Sequence, residues 1–116
     1  ISSVISKKEI VDIRNSLDRI LMKDELIQYV VHLIAKTRNH PSLYLGASPR
    51  ASIDLLKASK AFAAINGRDF VTPEDIKRLF RPVVEHRVLL SPEAELQGMT
   101  VREITEQIMT QVEVPK

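Results

Sequence analysis

The residues best suited to do chemistry lie at positions 46–50, where the sequence reads Gly-Ala-Ser-Pro-Arg. Ser48 and Pro49 are typical of a helix start, so Arg50 is predicted in the first helical turn. A cation is unfavourable there by about 0.3–1 kcal/mol, because the free N–H groups and the helix dipole already present positive charge. The pattern therefore indicates an anionic partner for Arg50, a phosphate or a carboxylate. A purely structural helix start is the alternative.

Other catalytic motifs have little support in the sequence. The three glycines cannot supply the G-x-x-x-x-G-K-[ST] loop that cradles phosphates, so the chain is not a whole P-loop enzyme. Asp24 and Glu25 resemble a Walker B acid pair, but Lys23 stands where an apolar strand should end, and a helix cap at Asp24 is the better interpretation. Ser48 has no partners at a spacing that suggests a nucleophilic triad. We expect no catalysis by this chain alone.

Metal and thiol chemistry is also not expected. The three histidines are His32, His40 and His86, and no two of them have the three- or four-residue spacing of a metal pair on one helix. The chain has no cysteine, which excludes disulfides, thiolate nucleophiles and cysteine zinc sites and fits a cytoplasmic protein.

Composition is that of an ordinary globular domain. The 116 residues are 44% hydrophobic, and the formal net charge of +2 is too small to imply nucleic-acid binding by bulk electrostatics. Four cations give one helical segment a basic face, which is more simply a solvated surface than a nucleic-acid or subunit contact: Lys77, Arg78, Arg81 and Arg87. There is no signal segment or twenty-residue apolar run. The start at Ile1 predicts one domain, residues 1–116, of a longer protein.

The elements that must position Arg50 are predicted to be helices. Apolar residues recur at helical spacing and no strand pair is evident, so we expect an all-α fold, a small bundle of about five helices. Their predicted extents are Ser6 to about Arg19 or Leu21, Asp24 to about Arg38, Ser48 to about Asn66, Thr72 to a kink or break near Arg81 caused by Pro82, and Thr100 onward. Residues 39–47 and 88–98 are predicted to be connections, the second with a turn at Ser91.

Apolar spacing also predicts which helix faces are buried. The expected inner residues of the first helix are Ile10, Ile13, Leu17 and Leu21. Those of the third helix are Ala51, Leu55, Ala58, Phe62 and Ile65, followed by a stop at Gly67.

An ordered set of short motifs resembles a known family. The set comprises residues 29–33, 37–38, 46–51, 67–68, 71–76 and 86–87. Together these residues resemble the C-terminal lid of the MoxR family of AAA+ ATPases, and the resemblance extends from about Val4 to Pro115. Such a lid is a helical domain that follows an α/β nucleotide-binding domain.

The resemblance implies a function for Arg50. It matches the sensor 2 arginine, which reaches from the lid to the γ-phosphate of ATP and is the expected catalytic residue. Gly46 and Pro49 are expected to set its approach, and Ser48, Pro49 and Arg50 are the expected cofactor-binding residues. ATP with Mg²⁺ would be held mainly by the preceding α/β domain. Neighbouring subunits of a ring, commonly a hexamer, and von Willebrand factor A domain proteins are the implied partners, in a chaperone-like ATPase that contacts neither nucleic acid nor membrane.

Three interpretations stay open at this point. Arg38 belongs to a Thr-Arg element that either packs near the nucleotide or closes a helix. His86 and Arg87 match the family's His-Arg pair, for which helix termination and an inter-subunit contact are both open. The alternative function is a helical nucleic-acid-binding or protein-interaction module, since similar helix starts occur in histone-like and adaptor domains.

Overall fold

The order of elements confirms a mostly helical fold. The structure is a computed structural model that describes residues 6–115. In chain order the elements are α1 (Lys7–Ser16), a short 3-10 helix (Leu17–Arg19), α2 (Asp24–Arg38), β1 (Leu43–Leu45), α3 (Arg50–Ile65), α4 (Pro73–Val84), β2 (Leu89–Leu90), α5 (Pro92–Leu96) and α6 (Val101–Gln111). Within that range there are six α-helices rather than about five. None of them is long and apolar enough to cross a membrane.

The hydrophobic core lies where α2, α3, α4 and α6 meet. Its largest fully buried apolar side chains are Tyr29, Phe80, Leu33, Ile34, Leu55, Ile76, Ile104 and Ile108. Burial of each such aliphatic or phenyl side chain contributes about 1.5–3 kcal/mol. The N-terminal half of α3, where the candidate site begins, is thus anchored in the buried core by Ala51 and Leu55.

The buried face of α3 differs from the predicted face. Ile65, predicted inside, is 81% exposed, and Ala58 and Phe62 are only partly buried. Ala51 and Leu55 are buried as predicted, but the buried face then continues in steps of four to Ser59 and Ala63. Three of these four side chains are small, and α3 packs chiefly against α4. The small side chains allow this close approach, which rotates the buried stripe away from the larger apolar residues.

The first helix is shorter than predicted. The Ser6 hydroxyl caps it by accepting from the Glu9 N–H at 3.2 Å, but the α-helix ends at Ser16 and only a 3-10 turn continues to Arg19. Leu21 pairs with the segment before α4: its N–H donates to the Asp69 carbonyl at 2.7 Å and its carbonyl accepts from Val71 at 2.9 Å. Those backbone bonds replace the helical ones.

The inner face predicted for this first helix is not buried. Ile10 is 48% exposed and Leu21 is 60% exposed. Leu17 is partly buried. The side chain of Ile13 lies outside the described part of the chain.

The predicted cap of α2 is wrong by one residue. Lys23 precedes the helix, no side chain caps it, and Asp24 is already helical. The Lys23 carbonyl accepts from the N–H groups of Leu26 and Ile27, so helical bonding begins one residue early. Asp24 and Glu25 instead act as first-turn acids, where the helix dipole favours negative charge.

The start of α4 is confirmed at Thr72, which forms a capping box with Asp75. Thr72 accepts from the Asp75 N–H, and the Asp75 carboxylate accepts from the Thr72 N–H at 2.8 Å. The same carboxylate is almost fully buried and receives both terminal nitrogens of Arg68, at 2.7 and 2.6 Å. Burial by itself would raise the pKa of Asp75, but the hydrogen bonds from Arg68 and Thr72 outweigh it and hold the pKa below its usual value.

Asp75→Asn is expected to lower the free energy of unfolding at pH 7 by about 2–3 kcal/mol, because it leaves Arg68 without its anion. Since the pKa is lowered by folding, this contribution is present above the usual carboxyl pKa of about 4 and is lost as pH falls through the folded value. Urea unfolding of both proteins should therefore converge in strong acid. Glu74→Gln, at an exposed first-turn acid, is the control and should change little. A difference that stays constant with pH would contradict this account.

Two further expectations are corrected at the C-terminal end of α4 and beyond it. Pro82 does not divide the helix, which continues to Val84. Proline has no N–H to donate to the Arg78 carbonyl, but only two helical residues follow Pro82, so the helix ends close to the position where a kink or break was predicted. The predicted connections contain the antiparallel pair β1 and β2, with Leu43 opposite Leu90. Strands of two and three residues are too short to show a period-two pattern.

The last part of the chain follows prediction more closely. Ser91, predicted in a turn, caps the short helix α5 by accepting from the Ala94 N–H at 3.2 Å. Thr100 caps α6 by accepting from the Glu103 N–H at 3.2 Å, as expected. Gly67 follows the end of α3 with φ +74°, the left-handed conformation typical of a helix stop.

Candidate functional site

The Gly-Ala-Ser-Pro-Arg motif connects β1 to α3. Residues 46–49 form the connection, and Arg50 is the first residue of α3. Pro49 has φ −57° and ψ −25°, so it already has helical geometry, as its ring predicts. The motif therefore delivers the arginine onto the first turn of a sixteen-residue helix.

Gly46 is required by a close approach of two backbone segments. A Cβ atom at this position would lie 2.6 Å from the Arg38 nitrogen, the Arg38 Cα and the Thr37 carbonyl oxygen. These are backbone atoms of the last turn of α2, so no side-chain rotation can make room. The motif loop lies directly against the end of α2, and only glycine fits.

The Thr37 hydroxyl fixes the next residue of the loop. It donates to the Ile34 carbonyl at 2.6 Å and accepts from the Ala47 N–H at 2.9 Å. Thr37, Ala47 and Ala51 are all almost fully buried. This bond satisfies a buried N–H that would otherwise be unpaired, and it ties the loop to α2 just before α3 begins.

The capping role predicted for Ser48 is not observed. No side chain caps the first turn of α3; the Ser48 backbone carbonyl instead accepts from the Ala51 N–H at 2.9 Å. Because Pro49 already has helical backbone angles, the first turn closes with a hydrogen bond between residues that are three apart, Ser48 and Ala51. The close approach of Gly46 to α2 and the bond from Ala47 to the Thr37 hydroxyl therefore do the positioning that the Ser48 hydroxyl was expected to do.

Arg50 is exposed, and no acidic side chain among residues 6–115 pairs with it. Its side chain makes no hydrogen bond or ion pair within residues 6–115, although its backbone is held by buried neighbours. The only acidic residue of α3 is Asp54, and its carboxylate binds Arg87 at 2.8 Å. The arginine is therefore available to an anion from outside the described chain.

A cleft of about 680 Å³ borders the motif and unites three of the sequence motifs. It is lined by Arg38, Tyr44, Leu45, Gly46, Ala47, Ser48 and Arg87. Arg38 comes from the Thr-Arg element, residues 46–48 from the Gly-Ala-Ser-Pro-Arg motif, and Arg87 from the His-Arg pair. Arg50 does not line the cleft in this conformation and lies on the helix turn that follows it.

Sequence reasoning missed two residues of this region. Thr37 was noted only as part of the Thr-Arg element, although its hydroxyl makes the bond to the loop. Asp54 was not singled out, although it is the acid nearest in sequence to Arg50. Asp54 lies four residues beyond Arg50, one helical turn away, and this spacing in the sequence indicates that the two side chains share a helix face.

The three histidines have different surroundings. His32 and His86 are exposed, whereas His40 is buried, receives the Ser42 N–H and contacts the Gln107 side chain at 3.2 Å. Among residues 6–115 no group of three or more histidine, aspartate or glutamate side chains could hold a metal ion.

Comparisons with known proteins agree on one family. Residues 35–108 match the AAA lid domain. The chain is 39% identical to the uncharacterized protein YeaC of Bacillus subtilis over 97% of this chain and 35% of that protein. It is 29% identical to the chaperone MoxR1 of Mycobacterium tuberculosis over 78% of this chain and 26% of that protein.

A solved structure shows the same fold. The crystal structure of a putative ATPase from Cytophaga hutchinsonii superimposes with a TM-score of 0.92 at 34% identity, over 99% of this chain and 38% of that protein. The chain thus spans about a third of the length of such relatives. The matched family, the MoxR-named relative and this superposition show that the chain belongs to the AAA lid domain family and is a lid domain of the MoxR type.

Proposed function

We propose that this lid contributes Arg50 as a sensor 2 residue that reads the γ-phosphate of ATP held by the protein's own α/β ATPase domain. The observation that supports the proposal most is the exposed guanidinium, which has no partner among residues 6–115, on a backbone that Gly46 and Ala47 fix against α2. A rigid base allows the charge to be aimed, which is what phosphate recognition requires. The likeness to a chaperone and to an ATPase supports the same class of activity.

The chemistry of the arginine fits a phosphate ligand. A guanidinium is always charged and offers parallel N–H donors that match phosphate oxygens. At the N-terminus of α3 the helix dipole adds to its positive field, so an anion placed there gains from both. ATP with Mg²⁺ would supply the transferred phosphoryl group, and Arg50 would stabilise negative charge on it.

The same contact gives a means of coupling nucleotide state to movement. When the γ-phosphate is lost, the bond from Arg50 is lost with it, and the lid is free to rotate relative to the ATPase domain. In this proposal Pro49 and the backbone of Ser48 set the direction of the side chain. The lid alone hydrolyses no ATP, since it has no phosphate-binding loop.

The wider assembly belongs to the same proposal. We infer that the parent protein acts in the cytoplasm as a ring, with six subunits as the expected number, that remodels partner complexes. Von Willebrand factor A domain proteins are the proposed companions. Neither nucleic acid nor membrane is a proposed ligand, because the formal charge of +2 is small for a protein that binds polyanions.

Nucleotide affinity tests the proposal directly. In the full-length protein, Arg50→Ala should weaken binding of a non-hydrolysable ATP analogue by about 10- to 100-fold, the value of one charged hydrogen bond. ADP affinity should stay within about twofold, because ADP lacks the γ-phosphate that Arg50 contacts. Calorimetric titration measures both. Equal weakening for the two nucleotides, or none for either, would contradict a role as γ-phosphate sensor.

A further inference from the structure

The ion pair between α3 and the end of α4 joins two residues outside the proposed phosphate contact. Arg87 Nη2 lies 2.8 Å from Asp54 Oδ2, and the side chains are 42% and 33% exposed. The other terminal nitrogen of Arg87 donates to the Val83 carbonyl in the last turn of α4, where a cation is favoured by the helix dipole. Arg87 is thus held on one side by α4 and presents its charge to Asp54 on the other.

The partner acid stands one helical turn beyond Arg50. Residues four apart on a helix lie on the same face, at a distance where an arginine and an aspartate can pair. Asp54 is the only acidic residue of α3. Without Arg87, its carboxylate would be the nearest anion available to Arg50 on that helix, and its charge would also repel a phosphate brought to the same turn.

We propose that Arg87 is a positioning residue for Arg50. Because Arg87 holds the Asp54 carboxylate in an ion pair, that carboxylate does not pair with Arg50. The inference rests on the proposed function of Arg50 and assigns a role to the His-Arg pair. Arg87 acts through Asp54 and makes no contact with the nucleotide in this account. The ion pair brings the charge of Arg87, which follows α4, next to α3. There it neutralises the Asp54 carboxylate, one helical turn beyond Arg50.

A double-variant experiment in the full-length protein tests this role. Arg87→Met keeps an unbranched side chain and removes the charge. It should lower kcat/KM for ATP by about fivefold, because the released Asp54 carboxylate then pairs with Arg50 in competition with the phosphate. Asp54→Asn alone should stay within about twofold of wild type. The combination R87M/D54N should return to near the wild-type value, since no free carboxylate remains.

Rescue separates positioning from mere stabilisation. The ion pair is absent from both R87M and R87M/D54N, so a structural role predicts that the two are equally impaired in thermal unfolding and in turnover. The proposal predicts that turnover recovers while the melting temperature does not. Raising the salt concentration from about 0.05 M to about 0.5 M should also reduce the defect of R87M, because the competition is electrostatic.

The outcomes also distinguish this inference from the proposed function. If R50A is slow but R87M/D54N is as slow as R87M, the positioning role is wrong and Arg87 acts on the nucleotide or on the fold. Normal turnover in R87M would overturn the role as well. If R50A itself turns over ATP normally, the proposed function fails and this inference fails with it.

Discussion

Arg50→Ala in the full-length protein is expected to lower kcat for ATP hydrolysis by about 100-fold or more, the usual effect of removing one charge-stabilising donor from a transition state. Folding should be unaffected, because the side chain is exposed and makes no hydrogen bond or ion pair within residues 6–115. Steady-state phosphate release gives the rate, and circular dichroism of the same samples reports the fold. A large loss of rate with an unchanged fold is the expected result.

Two matched variants make this result interpretable. Arg50→Lys keeps the charge but loses the planar fork, so kcat should fall by about tenfold and lie between the wild type and R50A. Lys57→Ala removes another exposed cation from the same helix and should leave turnover within about twofold, because one exposed charge at a distance has little effect. If K57A were as slow as R50A, the effect would be one of general charge on α3 and not of a placed guanidinium.

The parts of the fold that depend on neighbouring residues could be predicted from the sequence. Thr72 and Thr100 start helices as expected because a cap bonds to an N–H only three residues away. Gly67 stops α3 for a similarly local reason. In each of these places the sequence of one short segment contains both partners of the interaction.

The parts that depend on distant segments could not be predicted. Ser48 was predicted to cap α3, but the loop is held by Thr37. The Thr37 hydroxyl accepts a hydrogen bond from the N–H of Ala47, ten residues further along the chain. The partner of Arg87 is Asp54, thirty-three residues away. The inner face of α3 depends on how closely α4 approaches, which Ala63 allows and which apolar spacing alone cannot reveal. The site motif was therefore identifiable, whereas the contacts that hold it required the fold.

Gly46→Ala is the second variant for which we expect a large effect, and it tests those contacts. The new methyl group would lie 2.6 Å from backbone atoms of Thr37 and Arg38, so the loop must move away from α2. Overpacking of this kind costs about 1–3 kcal/mol, and losing the Thr37 bond to Ala47 adds about 1 kcal/mol. Because the start of α3 moves with the loop, turnover should also fall by about tenfold or more. Urea unfolding and phosphate release measure the two effects.

Gly67→Ala provides the control for Gly46→Ala, because it also destabilises the lid but lies at the other end of α3. Its φ of +74° makes alanine unfavourable by about 1–2 kcal/mol, yet nothing lies within 4 Å of the added methyl group. At a temperature where both variants are fully folded, G67A should therefore turn over ATP normally while G46A stays slow. Equal rates in the two variants would mean that stability, and not the position of the loop on α2, limits turnover. A slow, folded G46A would instead show that Arg50 works only from a backbone held against Thr37 and Arg38.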